Sequence, residues 1–145
     1  VLFRSTLQDL ADKVVAVQST TKPEELFLNA EQNGLPRLRR LYSLQNRDLL
    51  YTTLLKGYAD ALAAHESAIR QFMKDYSVEY RILDEPLMTA RLGVAFAKER
   101  SDDLPQQLTE VFQEMLADGT VRQIVSRYLD DPEHYLDGLE DSTHA

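Results

Sequence analysis

The chain contains no cysteine and no tryptophan, and only five glycines and five prolines in 145 residues. Without cysteine there is no disulfide, no thiolate metal site and no thiol nucleophile, and the redox compartment stays open. No apolar run approaches the roughly 20 residues that a membrane helix needs. Positive charge is also scarce: 16 Lys and Arg stand against 24 Asp and Glu, a formal net charge of −8. Such a chain is a poor general partner for nucleic acid, which requires a cationic surface. No G-x-S-x-G elbow and no zinc-ligand spacing is present, so hydrolysis and structural zinc find no support. His134 and His144 lie among acidic residues near the C-terminus without a metal-binding spacing.

What the chain does have is a globular composition, 43% apolar and 28% charged, at a length that suits about one domain. Its first five residues, Val1 to Ser5, read as the translation of a sequencing-adaptor tail, so residues 1–6 are expected to be non-native. Residues 130–145 carry six acidic side chains and no Lys or Arg, whereas residues 1–129 hold 16 basic against 18 acidic residues. The acidity is thus concentrated in a short tail, expected to be a solvated terminus.

Between these ends, apolar runs alternate with periodic stretches. Val14 to Val17 is a short β-branched run, the pattern of a buried strand. Thr21 with Glu24 three residues later reads as a capping box, with Pro23 in the first turn of a helix that runs to about Asn33. Leu38 to Ser43 suits a second strand, flanked by Arg37, Arg39 and Arg40 on a solvated face. Asn46 caps a helix that stops at Gly57. Ala59 to Ala64 suits a third strand, although Ala and Leu would also tolerate a helix there. Ile69, Phe72, Met73 and Tyr76 mark the next helix, and Val78 to Leu83 and Leu92 to Lys98 suit a fourth and fifth strand. Leu104, Leu108, Val111, Phe112 and Met115 form the strongest helical stripe, which predicts a core face. Asp118-Gly119-Thr120 ends that helix, and Thr120 with Gln123 reads as a second capping box. Strands alternating with helices define an α/β class with a largely parallel sheet.

In this order the motifs resemble the second half of a family 3 extracellular solute-binding protein. The resemblance is carried by D-L-x-x-K-x-V-x-V-Q at Asp9 to Gln18, L-x-x-G-x-x-D-A at Leu54 to Ala61, and G-V-A-F-A-K at Gly93 to Lys98 followed by L-A-D-G-T at Leu116 to Thr120. It covers residues 7 to about 130. It implies a periplasmic-binding-protein-like (type II) α/β clamp that closes by a hinge on a small polar solute, amino-acid-like or carboxylate. Residues 7–86 would be lobe two, residues 87–129 the hinge return and C-terminal part of lobe one, and residues 130–145 an acidic tail. Much of lobe one would be missing. The implied role is the periplasmic, monomeric binding component of an ABC importer, with a membrane permease as partner, no cofactor, no metal and no enzymatic activity. The alternative is the ligand-sensing input domain of a membrane receptor, which would continue into an apolar span. The chain ends polar, at Asp141 to Ala145, which favours transport. Cyclohexadienyl dehydratases and LysR-type effector domains share the resemblance as further classes.

Open parallel sheets bind ligands beyond the carboxyl ends of their strands. Two such ends are candidates for solute contact: Ser19, Thr20 and Thr21 after the first strand, and His65 and Glu66 after the third. Hydroxyls and free N–H groups at the first suit a carboxylate, although N-capping alone would also explain Thr21. The resemblance places a Gly where Ser19 stands, and an Asp that pairs with the ligand amine where His65 stands. His65 supplies no fixed negative charge, which makes an ordinary zwitterionic amino acid a poorer fit. Asp60 is expected to serve strand and turn packing.

Overall fold

A computed structural model describes residues 6–90, 93–99 and 102–136. The chain divides into two compact units, residues 1–90 and 91–145. The first begins with a 3-10 turn at Leu7–Leu10, then alternates β1 (Val14–Gln18), α1 (Lys22–Leu28), β2 (Arg40–Leu44), α2 (Arg47–Leu55), β3 (Ala61–Ala63) and α3 (Glu66–Tyr76). The three strands form one parallel sheet in the order β2-β1-β3.

β1 is central, and its pleat separates two apolar layers. Val15 and Val17 face one side with Leu10 and Phe27 of α1, against which Leu41, Ala61, Ala63, Leu83 and Leu87 pack. Ala16 faces the other side with Leu50 of α2 and Ala59, joined by Tyr42, Leu44, Leu62 and Ala64. The period-2 alternation of strand side chains accounts for both lists at once. A parallel strand covered by helices on both faces needs a continuous apolar sequence, which Val14 to Val17 supplies. The Asp60 carboxylate accepts the Val14 N–H at 2.7 Å and pairs with Arg39 at 3.3 Å. It therefore fastens the entry of β3 to the entry of β1. Arg40 lies 5.7 Å from the centre of the Tyr42 ring, so two of the three arginines make specific contacts across exposed surface.

α3 packs on α2 through aromatic stacking. The Tyr51 and Phe72 rings are 4.2 Å apart and nearly parallel, and the Tyr51 hydroxyl donates to the Ala68 carbonyl. Burial raises the Tyr51 pKa above the ordinary phenol value.

Several elements depart from the sequence expectation. α1 stops at Leu28 rather than near Asn33, because Asn29 and Asn33 turn their side-chain amides onto the carbonyls of Glu25, Leu26 and Asn29. Such local side-chain bonds compete with helix propagation. Val78 to Leu83 is not a strand. Ser77 takes a left-handed conformation at the end of α3, the Val78 N–H returns to the Met73 carbonyl, and the Tyr80 N–H meets the Met73 sulfur. Donors spent on the helix end are not available to a sheet ladder. In the second unit, Gly93 to Lys98 is also not a strand, and Leu92 lies outside the described residues. No strand is described beside it, and Val94 is 69% exposed.

The second unit contains α4 (Leu104–Ala117), α5 (Thr120–Val125) and α6 (Pro132–Leu136). α4 has no buried residue, so the stripe expected to be core stands partly open, with Leu104, Leu108, Val111 and Phe112 all exposed. The second capping box is absent: Gly119 is the cap residue, and Asp118 rather than Thr120 bonds the first helical N–H. Two hydrogen bonds from Thr120 hold the Asp118 pKa below the usual carboxylate value. Part of the acidic tail is helical, and Glu133 of α6 pairs with Arg122 of α5 at 2.9 Å. Residues 1–5 and 137–145 lie outside the described residues.

Phe72 is almost fully buried under Tyr51. Phe72→Ala is expected to cost about 3–5 kcal/mol, as large-to-small core substitutions do. The check is urea unfolding followed by circular dichroism, with the loss showing as a lower midpoint at an unchanged slope.

Candidate functional site

The parallel sheet brings the candidate residues together. Val17 of β1 stands opposite Ala63 of β3, so Ser19 to Thr21 and His65 to Glu66 leave the same carboxyl edge from adjacent strands. Neighbouring strands run about 4.8 Å apart. The end of β2 lies on the other side of β1, with Gln18 opposite Leu44. The Ser19 N–H donates to the Leu44 carbonyl at 2.9 Å, which ties the turn after β1 to β2.

The turn itself is highly connected. Thr20 is left-handed, with φ of 59°. This is uncommon for a β-branched residue, and such strain persists only where the surroundings hold it. The Thr20 N–H donates to Glu24 at 2.7 Å, and the Thr20 hydroxyl donates to the Ser19 carbonyl. Thr21 precedes α1 as expected, but its hydroxyl donates back to the Gln18 carbonyl and makes no cap bond to the helix. The expected capping box is therefore displaced by one residue: Glu24 closes on the N–H of Thr20, not of Thr21. The position where the resemblance places a Gly is Ser19, yet the left-handed residue is Thr20, so the serine meets no backbone strain.

Glu24 is the residue whose place at this edge sequence reasoning missed. Its carboxylate gathers the Ser43 hydroxyl from β2 and the Thr20 N–H, and both hold its pKa below the ordinary value. The i to i+4 spacing from Thr20 was visible in the sequence, but nothing there announced the left-handed turn that brings the amide round.

On the neighbouring strand end, His65 is exposed and caps α3 through its backbone only, its carbonyl accepting from Ile69. Glu66 is half-buried and pairs with Arg70 at 2.6 Å. The Ser19 hydroxyl, the Thr21 N–H and the His65 ring find no partner among the described residues, whereas the polar groups of Thr20 and the Glu66 carboxylate are engaged within the fold.

No family model matches the chain. The histidine-binding periplasmic proteins of Escherichia coli K12 and Salmonella typhimurium are each 33% identical over 136 residues, aligning with 88% of this chain and 50% of their own length. A crystal structure of the substrate binding protein of an amino acid ABC transporter matches with a TM-score of 0.65 at 25% identity, over 88% of this chain and 55% of that one. The fold class is thus that of the periplasmic binding proteins, an α/β architecture on a parallel sheet. The chain is similar to these binding proteins and spans about half the length of the curated relatives it matches.

A depressed Glu24 pKa has a definite sign. Glu24 contributes stability that is present above its unfolded pKa and lost as pH falls through its folded value. In a carbon-detected NMR titration the Glu24 carboxyl is expected to titrate below the usual glutamate range of about 4.3. Ser43→Ala should move that midpoint upward; an unchanged midpoint would remove Ser43 from the account.

Proposed function

We propose that the chain is the solute-binding half-clamp of a periplasmic protein that delivers a small polar solute to the permease of an ABC importer. The observation carrying this reading is the alignment of 88% of the chain with proteins named for histidine binding in the periplasm. The geometry supports it: five candidate polar residues leave adjacent strand ends at one carboxyl edge, the place where open α/β sheets receive ligands. Capture is reversible and no bond is broken, so the chain is not an enzyme.

In this reading Ser19, Thr21 and His65 touch the solute. Thr20 and Glu66 hold the turn and the start of α3 that present them. The curated relatives are about twice as long, and residues 7–86 are read as one lobe of a clamp that closes over the solute. One lobe offers an open edge, and an open edge leaves much of a small solute in water. Affinity then comes from closure, which removes water and adds a second set of contacts.

Two outcomes are expected from calorimetry with a panel of amino acids that includes histidine. In a protein carrying both lobes, Ser19→Ala with His65→Ala, which removes the open hydroxyl and the open ring, weakens solute binding at least ~10-fold, about 1.4 kcal/mol, with stability changed by less than about 1 kcal/mol. Unchanged affinity would place the site elsewhere. The 145-residue chain alone binds the same solute weakly or not at all, and tight binding by it would defeat the two-lobed account.

A further inference from the structure

The far end of α3 carries a cavity that the candidate solute edge does not use. α3 leaves that edge at Glu66 and runs 11 residues to Tyr76, about 16 Å at a rise of about 1.5 Å per residue. Where it ends, Ser77 is left-handed with φ of 51°, and the chain folds back on the last turn. The Val78 N–H bonds to the Met73 carbonyl at 3.0 Å, and the Tyr80 N–H meets the Met73 sulfur at 3.3 Å. Met73, Lys74, Ser77, Val78, Glu79 and Tyr80 thereby line a cavity of about 630 Å³ that opens to solvent, a size within the range of small-molecule sites. Its aromatic wall is held from behind. The Tyr80 ring lies 6.2 Å from Phe72 at 12°, and Phe72 lies 4.2 Å from Tyr51 at 7°. Tyr80 is thus the outer ring of a stack whose inner members are buried, and it is itself 37% exposed.

Among the described residues no hydrogen bond or ion pair engages the Lys74 ammonium, the Ser77 hydroxyl or the Glu79 carboxylate, whereas the neighbouring Asp75 and Arg70 are committed to Gln71 and Glu66. We infer that this cavity is a second binding site, for a small zwitterion that carries an aromatic ring, as a free aromatic amino acid does. The inference does not depend on the reading of the strand-end edge. The ligand ring lies against Tyr80 and Met73, since an aromatic face and a thioether sulfur both attract a ring. The ligand carboxylate meets the two open donors, Lys74 and Ser77, and the ligand ammonium meets Glu79. A simple anion would face Glu79 and a simple cation would face Lys74, so a ligand bearing both charges fits better than either. A zwitterion without a ring forfeits the apolar floor of Met73, Val78 and Tyr80. The left-handed turn and the ring stack are in place before binding, so little of the protein has to be ordered. The open side leaves part of the ligand in water, which sets the expected affinity at about millimolar.

The test uses the 145-residue chain, nitrogen-15 labelled and titrated with phenylalanine. Alanine serves as the zwitterion without a ring, and N-acetylphenylalanine amide as the ring without charges. Phenylalanine is expected to shift the amides of residues 73–80 in a saturable way, and alanine to leave them unmoved. The capped amide should bind at least ~3-fold more weakly than phenylalanine. Tyr80→Ala, which removes the aromatic wall and keeps both charges, should abolish the response or weaken it at least ~10-fold. Lys74→Gln and Glu79→Gln change exposed side chains and leave the ring stack intact; each should weaken phenylalanine by about 3-fold, the size of an exposed ion pair. Unchanged β1 and β3 amide signals show that each variant is folded. No response at residues 73–80 in the wild-type chain, or an equal response in Tyr80→Ala, overturns the site. Phenylalanine shifts confined to residues 19–21 and 65 overturn it as well, while leaving the strand-end edge standing. Equal affinity for phenylalanine and the capped amide, unchanged in both glutamine variants, overturns the assignment of a zwitterion.

Discussion

The constraint from which the first unit follows is the burial of β1. Three consecutive residues, Val15, Ala16 and Val17, are almost wholly shielded from solvent. Their backbone polar groups can be satisfied only by strands on both sides, and their side chains only by apolar layers above and below. β2 and β3 answer the first demand and α1 and α2 the second. The small Ala16 on one face lets Leu50 approach closely, while the larger Val15 and Val17 meet Phe27 on the other. Because all three strands run parallel, their carboxyl ends share one edge. The position of the polar turn residues is thus a consequence of how β1 is covered.

That much was legible in the sequence, since the β-branched run at Val14 to Val17, the Asn46 cap and the stop at Gly57 locate the strands and helices around it. What was not legible depended on partners. Val78 to Leu83 and Gly93 to Lys98 carry strand-like sequences, but a strand is a pairwise object and each lacks a described neighbour. Capping boxes were misplaced for a related reason. The S/T-x-x-E spacing fixes which side chains can reach the helix start, not which backbone N–H has turned toward them. At Thr20 a left-handed residue changed the recipient, and at Gly119 a left-handed glycine handed the first bond to Asp118.

The second unit shows the same dependence at a larger scale. The α4 stripe has core spacing, yet Phe112 is 45% exposed, and among the described residues of this unit Val121 of α5 is the buried apolar one. A 14-residue helix is marginal in water without tertiary packing. The spacing correctly identified a face that demands cover, and periodicity carries no information about what supplies it. The strand-like run before α4 makes the same demand through its backbone.

The polar edge follows a different logic from the core. In the core every group is satisfied by burial, and the structure gains nothing from leaving one open. At the edge, polar groups divide into those that hold the turn and those left open, and the same residue types fall in both sets. Thr20 and Thr21 are adjacent threonines with different duties: one has its N–H and hydroxyl committed, the other keeps its N–H open. Residue identity and spacing suggested a carboxylate cradle because hydroxyls and amides at a strand end can always make one. At Thr20 the N–H is occupied by Glu24 at 2.7 Å, and a solute could use it only by displacing a charged acceptor already in place. The specificity of such an edge is set as much by what the fold keeps for itself as by what it offers.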